Sequence, residues 1–372
     1  MHSANKVIFF VGTLGSGGLE RFVTRVSIEA ANRSLFTPVV ICLAKREGIF
    51  FEQLVQLDIR VLHAPVNWQR SIKSLWKLRA LIRQEGADII HSQVNFSLLQ
   101  QWIATLFTGA MFMVTERNTY PLRGMERMRR LVQFYGLKLM GVHYSANSVE
   151  VARHLSRMLW YPERNIPVIP NGVDIPDLNA VNRNELRARQ GWQADDFVVG
   201  YVARFAEHKG HRYFVQVMQH VSKKLGGHLK ICFVGDGPVR KDIEKAVNDA
   251  GLREQVMFTG IVSNMTDYYA AFDCTALLSA YEGMPNVVIE AMAFGLPVVA
   301  NPVGNVRELF ADDCGVINLD TDAAETAIHF LDLESQSQLR YHYGQKARKK
   351  IAKQYSIANT LSLLCHEYGF EQ

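Results

Sequence analysis

No two cysteines in this chain are spaced to grip a metal. The five, Cys42, Cys232, Cys274, Cys314 and Cys365, are scattered without a Cys-x-x-Cys pair, most of them inside apolar runs. They read as reduced core cysteines of a cytosolic protein, which sets aside a zinc site and a disulfide framework. Long hydrophobic runs are also missing. The first, Val7 to Val11, is too short for a signal-peptide core and ends in glycines, so it reads as a buried strand. The longest, Trp102 to Val114, is interrupted by Thr and Gly and falls short of the roughly 20 residues that a membrane helix needs. No transmembrane helix is expected. There is no low-complexity tract and no nucleic-acid reading motif. A Gly-x-Gly-x-x-Gly fingerprint is absent as well, which disfavours a dinucleotide oxidoreductase.

What the chain does hold is ordinary for a globular protein: 372 residues, 48% hydrophobic and 21% charged. That length suits two or three domains. The formal net charge of +5 is unevenly spread. Residues 1–174 carry 21 basic against 12 acidic side chains, a net of +9, while residues 175–372 carry a net of −4. The first half is therefore expected to meet something anionic.

Short apolar strands alternate with amphipathic helices through the first half. The strands are read at 6–11, 37–43, 60–62, 87–91, 111–115 and 143–146, and the helices at 19–33, 71–85, 96–107 and 125–139. The pattern pauses at Ile166-Pro167-Val168-Ile169-Pro170-Asn171-Gly172-Val173-Asp174, a turn-rich connector. It restarts with strands at 197–202, 229–234, 256–259, 274–279, 297–301 and 315–318, and with helices at 211–224, 239–250, 265–271 and 287–294. Such β-then-α alternation predicts α/β architecture with parallel sheets covered on both faces. The expectation is two Rossmann-like, doubly wound domains facing across a cleft, with ligands at the carboxyl ends of the strands.

Four motifs fall at strand-to-helix junctions. Gly12-Thr13-Leu14-Gly15-Ser16-Gly17-Gly18-Leu19-Glu20 lets backbone approach a phosphate, or is simply a tight turn. Gly200-Tyr201-Val202-Ala203-Arg204-Phe205-Ala206-Glu207-His208-Lys209-Gly210 puts two cations before a helix, where they clamp a diphosphate or lie in solvent. Val234-Gly235-Asp236-Gly237-Pro238 lines a ligand or only makes a turn. The most informative is the block from Ser279 to Ala300. It flanks Gly283-Met284-Pro285-Asn286 with Glu282 and Glu290, then runs through a Gly-Leu-Pro stop into a buried strand. A helix start there presents backbone N–H groups to an anionic or hydroxyl-rich ligand.

Together these motifs resemble the retaining glycosyltransferases of the GT-B type, family 4, the "group 1" transferases. The resemblance covers nearly the whole chain. It rests on Ser279-x-Tyr281-Glu282-Gly283-Met284-Pro285-Asn286 with Glu290-Ala291-Met292-Ala293-x-Gly295-x-Pro297-Val298-Val299-Ala300. Arg204, Lys209-Gly210, Pro170-Asn171-Gly172-Val173-Asp174 and Gly17-Gly18 agree with it. It implies an acceptor domain at 1–172, a nucleotide-sugar domain at 173–354 and a C-terminal helix at 355–372 that crosses back. It implies that Arg204 and Lys209 bind the donor diphosphate and that Glu290 takes the ribose hydroxyls. Glu282, Gly283, Met284 and Asn286 would hold the donor sugar, Gly17 and Gly18 would approach the phosphates, and Gly235 and Gly237 would line the site. Neither a cofactor nor a metal is implied. The implied partners are a UDP-sugar and a glycan or lipid-linked glycan acceptor of bacterial surface polysaccharide or lipopolysaccharide assembly. Two other readings stay open: a UDP-sugar epimerase of the same fold, and a catalytically silent sugar-nucleotide-binding protein.

Three further segments carry weaker signals. Many members of the family have His-x-His where this chain has His91-Ser92-Gln93, so His91 or Gln93 meets substrate, or His91 is structural. Thr115-Glu116-Arg117-Asn118 resembles an element of surface-glycan transferases; Glu116 and Arg117 touch substrate or pair with each other. Arg123 to Lys138 mixes arginines with Met, Leu, Phe and Tyr. It reads as a basic amphipathic helix, packed with a solvated face or lying on the anionic inner face of the plasma membrane. The expected location is cytoplasmic, peripheral at that face, without nucleic acid as a partner.

Overall fold

The structure, a computed structural model, describes residues 5–15, 17–44, 48–64, 72–94, 98–117, 119, 124–262 and 264–370. Ser16 of the glycine turn, Ser71 and Phe96 at two expected helix starts, and Asn118 and Arg123 lie outside them. The chain divides into two units. One is residues up to Gly172 together with Ile357 onward; the other is Val173–Ser356.

In the first unit the elements run β1 (Lys6–Val11), α1 (Gly18–Asn32), β2 (Thr37–Cys42), α2 (Ile49–Gln56), β3 (Arg60–His63) and α3 (Ile72–Glu85). They continue with β4 (Ile89–Ser92), α4 (Leu98–Thr105), β5 (Met111–Glu116), α5 (Gly124–Leu139), β6 (His143–Ala146) and α6 (Val149–Leu159). Among the described residues the strands form one sheet in the order β3-β2-β1-β4-β5-β6, every pairing parallel. Strand β1 shows why. Its residues Val7 to Val11 are all fully buried, because helices cover both faces. Val7, Phe9 and Val11 enter one apolar layer with Phe22 and Val26 of α1. Ile8 and Phe10 enter the opposite layer with Leu78 and Ile82 of α3. The two-residue period of a strand sorts the side chains.

The second unit repeats the plan. Its elements are α7 (Arg183–Arg189), β7 (Phe197–Val202), α8 (His211–Leu225), β8 (Leu229–Val234), α9 (Arg240–Asp249), β9 (Val256–Gly260) and α10 (Thr266–Ala271). Then follow β10 (Cys274–Leu277), α11 (Asn286–Ala293), β11 (Val298–Ala300), α12 (Val306–Leu309), β12 (Val316–Ile317), α13 (Ala323–Ser335) and α14 (Ser337–Gln354). The sheet order is β12-β11-β10-β7-β8-β9, again parallel throughout. All five cysteines are buried and no disulfide joins them. No helix among the described residues is long and apolar enough to cross a membrane.

The last helix, α15 (Ile357–Tyr368), buries Leu361, Leu364 and Tyr368 in the first unit's core. Tyr355, two residues earlier, still belongs to the second unit: it packs in that core and donates its hydroxyl to Glu308 at 3.1 Å.

Both sheets reverse their winding direction once, between β1 and β4 and between β7 and β10. Loops leaving adjacent strands on either side of such a reversal go to opposite faces, which opens a crevice at the carboxyl ends. In the first unit that position belongs to the segments after Val11 and Ser92. In the second it belongs to the segments after Val202 and Leu277.

Candidate active site

The second unit's reversal point brings Lys209 and Glu282 together, from the loops after β7 and β10. Lys209 Nζ donates to Glu282 Oε1 at 2.6 Å, and both side chains are only partly exposed. Backbone fixes the two loops to each other: Ala280 N–H donates to the His208 carbonyl at 2.8 Å. The buried Tyr201 hydroxyl donates to the Lys209 carbonyl and accepts from Leu278 N–H at 3.3 Å. Gly210 closes the turn at φ +72°, and a β-carbon there would stand 2.1 Å from the Leu278 carbonyl oxygen. Only glycine allows that approach. Arg204 is exposed and, among the described residues, has no acidic partner. One loop thus offers a free guanidinium and a lysine that is paired with a carboxylate.

Gly235 and Gly237 have a physical reason visible only in three dimensions. β-Carbons on them would stand 2.1 Å from the Ala203 carbonyl and 2.3 Å from the Phe205 carbonyl. The turn between β8 and α9 is therefore pressed against the backbone on both sides of Arg204. Phe205 N–H donates to the Asp236 carbonyl at 3.0 Å, and Val239 N–H donates to the Phe205 carbonyl at 3.3 Å. The turn braces the Arg204 loop from behind.

Gly304, absent from the sequence-based site, does the same for the acidic loop. At φ +55° its missing β-carbon would lie 2.1 Å from the Gly283 carbonyl oxygen, and Asn305 N–H donates to that oxygen at 3.2 Å. The only sequence signal for it is a Pro-Val-Gly-Asn run after a buried strand. Pro285 stands at the N-cap of α11, so the helix begins at Asn286, one residue before the expected start. Met284 is buried beneath the turn. Glu290, one turn further on, is 4% exposed and accepts from the Tyr269 hydroxyl at 3.1 Å. Glu282 and Glu290 therefore flank the same helix start, one at a loop edge and one held by a tyrosine.

In the first unit the weaker candidates cluster as well. Gly17 is the N-cap of α1 and Gly18 its first residue. A β-carbon at Gly17 would meet the Glu20 carboxylate at 2.2 Å, so glycine makes room for an acid over the helix start. There it complements the positive end of the helix, as a phosphate would. Thr13 donates its hydroxyl to Glu20 at 3.3 Å. Sequence reading did not single out Glu20.

His91 is 1% exposed, and both ring nitrogens are engaged: Nδ1 with the Tyr368 hydroxyl and Nε2 with the Thr115 hydroxyl, each at 2.6 Å. Thr115 in turn meets the Ser145 hydroxyl at 2.8 Å. Burial first, and then the Arg117 charge, push the His91 pKa down to about 3. In this arrangement the imidazole is neutral and presents no nitrogen to a substrate. Gln93 accepts from Arg117 Nε at 2.9 Å, and Arg117 Nη1 donates to Asn171 at 2.6 Å. The same guanidinium sits 4.3 Å from the centre of the Phe22 ring. Burial lowers its pKa to about 9, against the raising effects of Glu20 and Glu116, so it stays charged at neutral pH. The Glu116 side chain takes a hydrogen bond from the Arg117 backbone N–H at 3.3 Å, but its ion pair is with Arg130, at 3.1 Å.

Two family models match the chain: "Glycosyltransferase Family 4" over residues 16–176 and "Glycosyl transferases group 1" over residues 182–350. Among similar proteins, EpsF of Bacillus subtilis, named as a glycosyltransferase, is 26% identical over 257 residues, covering 67% of this chain and 66% of its own. The UDP-Gal:alpha-D-GlcNAc-diphosphoundecaprenol alpha-1,3-galactosyltransferase of Escherichia coli is 25% identical over 245 residues, covering 63% of each. The matched stretches thus span just under two thirds of these relatives' lengths. Among solved structures, Anabaena HepE in complex with UDP and glucose superposes with a TM-score of 0.83 at 20% identity, covering 98% of this chain and 99% of its own. With two parallel sheets of the same doubly wound order, a site at the second sheet's reversal point and both family models matching, the chain belongs to the group 1 glycosyltransferases of the GT-B fold, a family of transferase enzymes.

Proposed function

We propose that this protein transfers a sugar, with retention of anomeric configuration, from a UDP-sugar to a glycan acceptor in bacterial surface polysaccharide or lipid-linked glycan assembly. The observation that carries the reading is the Lys209–Glu282 pair, 2.6 Å apart, at the reversal point of the second sheet, beside an exposed Arg204. Transfer passes through an oxocarbenium-like state as a nucleoside diphosphate departs. Fixed cations at the departing oxygens stabilise that charge without reorganising in the step itself. In this reading Arg204 and Lys209 hold the diphosphate, and Glu290, already taking a tyrosine hydroxyl, holds the ribose hydroxyls. Glu282 and the turn of Gly283, Met284 and Asn286 grip the sugar, with Gly235 and Gly237 lining the site. The first unit would carry the acceptor. Two relatives support the donor class: one is named for transfer from UDP-Gal to a diphosphoundecaprenol-linked sugar, and the HepE structure holds UDP and glucose.

Calorimetric titration with UDP, GDP and ADP tests the base. UDP is expected to bind at least tenfold more tightly than the other two, a difference of about 1.4 kcal/mol. Equal affinity for all three, or none for any, overturns the donor assignment.

We also propose that the protein works at an anionic membrane surface. Helix α5 buries Leu131, Phe134 and Leu137 and leaves Met125, Met128, Val132 and Leu139 exposed along its outer side. Trp160 is exposed too, and Arg127 lies 5.5 Å from its ring centre. An exposed apolar stripe among arginines suits the boundary of an anionic bilayer. The protein is expected to sediment with phosphatidylglycerol vesicles at low salt, much less with phosphatidylcholine, and to be released by added salt. No sedimentation with either removes this part of the proposal.

A further inference from the structure

The Lys209–Glu282 contact is one rung of a two-rung ladder. The neighbouring residues, His208 and Tyr281, face each other as well: their rings stack with centroids 4.5 Å apart and planes 11° from parallel. The hydrogen bond from Ala280 N–H to the His208 carbonyl ties the loops just beside this pair. His208 lies close enough to Lys209, Glu282 and Arg204 for all three to act on its titration. Burial, the largest effect, and the two cations lower its pKa, while Glu282 raises it. A neutral imidazole is therefore the expected form at neutral pH, and it serves as a flat backing for the phenol ring. Tyr281 nevertheless remains 64% exposed. A large aromatic held rigid on one side and left open to solvent has no folding role that requires its exposure. What is fixed beside it is a carboxylate, one residue along the chain.

Sugars are recognised by two kinds of group: polar acceptors for the hydroxyls, and flat apolar surfaces for the side of the ring where C–H bonds project. Glu282 supplies the first. We infer that Tyr281 supplies the second, and that its open face stacks against the donor's pyranose ring. The His208 stack matters because it fixes the phenol before the sugar arrives, so binding does not have to freeze it. This inference rests on the donor-site reading of the second unit and adds a residue to it.

The test separates the sugar from the nucleotide. Binding of UDP, GDP and ADP is compared with binding of the corresponding glucose, galactose and N-acetylglucosamine conjugates, for wild type and for Tyr281→Ala, Tyr281→Phe and His208→Ala. Tyr281→Ala is expected to bind the free diphosphate like wild type and to lose about tenfold in affinity for the sugar conjugate, a size typical of one lost stacking partner. Tyr281→Phe keeps the face and is expected to stay within about twofold of wild type, while His208→Ala falls between the two because the ring is present but unbraced. Unchanged affinity of Tyr281→Ala for every conjugate overturns the inference. Parallel losses for diphosphate and conjugate also overturn it, since they mark a distorted loop instead of a lost sugar contact. If wild type binds none of these ligands, the donor-site reading itself fails and this inference falls with it.

Discussion

Lys209→Ala is expected to lower kcat/KM for sugar transfer by about 10²–10³-fold, equivalent to ~3–4 kcal/mol of transition-state stabilisation, with the protein still folded. The fold should survive because Lys209 and Glu282 are both partly exposed and sit on loops outside the apolar clusters. A pair of that kind contributes on the order of 1 kcal/mol or less to stability. In the proposed reaction its chemical role would be larger, because negative charge would gather on the departing diphosphate beside it. Arg204→Ala should give a loss of similar order. Arg204→Lys should restore only part, because a point charge cannot reproduce the two parallel hydrogen bonds of a guanidinium. The double variant should fall well short of the product of the single losses if the two cations act as a unit. Steady-state release of the nucleoside diphosphate gives the rates, and circular dichroism checks the fold. Wild-type turnover by either folded single alanine variant would refute the assignment.

Acid should weaken each unit through one buried histidine. In the first unit His91 keeps its pKa near 3 in the native state. In the second, His211 is 2% exposed, its ring stacks on Phe205 at 4.3 Å, and burial, then the Lys209 charge, lower its pKa to about 4. Unfolded histidine takes up a proton below about 6.5. Between that value and the native pKa the unfolded state holds more protons, so stability falls as the pH falls. At pH 5 each histidine should have removed about 2 kcal/mol relative to neutral pH, and the loss ends once the native imidazole is protonated too. Urea titrations at pH 7 and pH 5 give the two stabilities. His211→Phe, which puts an apolar ring in the same stack, should shrink the difference for the second unit. His91→Gln should do so for the first, even though it lowers stability at both pH values. An identical pH difference in wild type and both variants would rule this account out.

How far the sequence reveals this molecule depends on the distance over which each signal acts. Buried parallel strands are legible because they are nearly continuous apolar runs: strands 6–11, 197–202 and 229–234 match residue for residue. Helix α2 escapes sequence reading because Ile49–Gln56 is only eight residues long, about two turns, too short for a 3.6-residue period to stand out. Helix α14 escapes because Ser337–Gln354 is so polar that few apolar residues mark a buried face.

The residues of the second unit's candidate site are legible as types. Cations, carboxylates and glycines at strand-to-helix junctions are local patterns, and the sheet order then brings Lys209 to Glu282 across 73 residues. The partners that explain them are not local. Nothing near His91 in the sequence points to Tyr368, 277 residues away, whose hydroxyl fills its Nδ1. Gly304 shows its purpose only when its missing side chain is seen to clear Gly283. The His208–Tyr281 stack, likewise, exists only once two loops are placed side by side.

The return of α15 to the first unit has a consequence for synthesis. Because Val173–Ser356 sits between two stretches of the other unit, it is a closed insertion whose every strand emerges from the ribosome before Ile357 does. The earlier stretch must wait, with the places of Leu361, Leu364 and Tyr368 in its core unfilled, until the whole of Val173–Ser356 has been made. The half of the protein made later can therefore reach its native packing before the half made first.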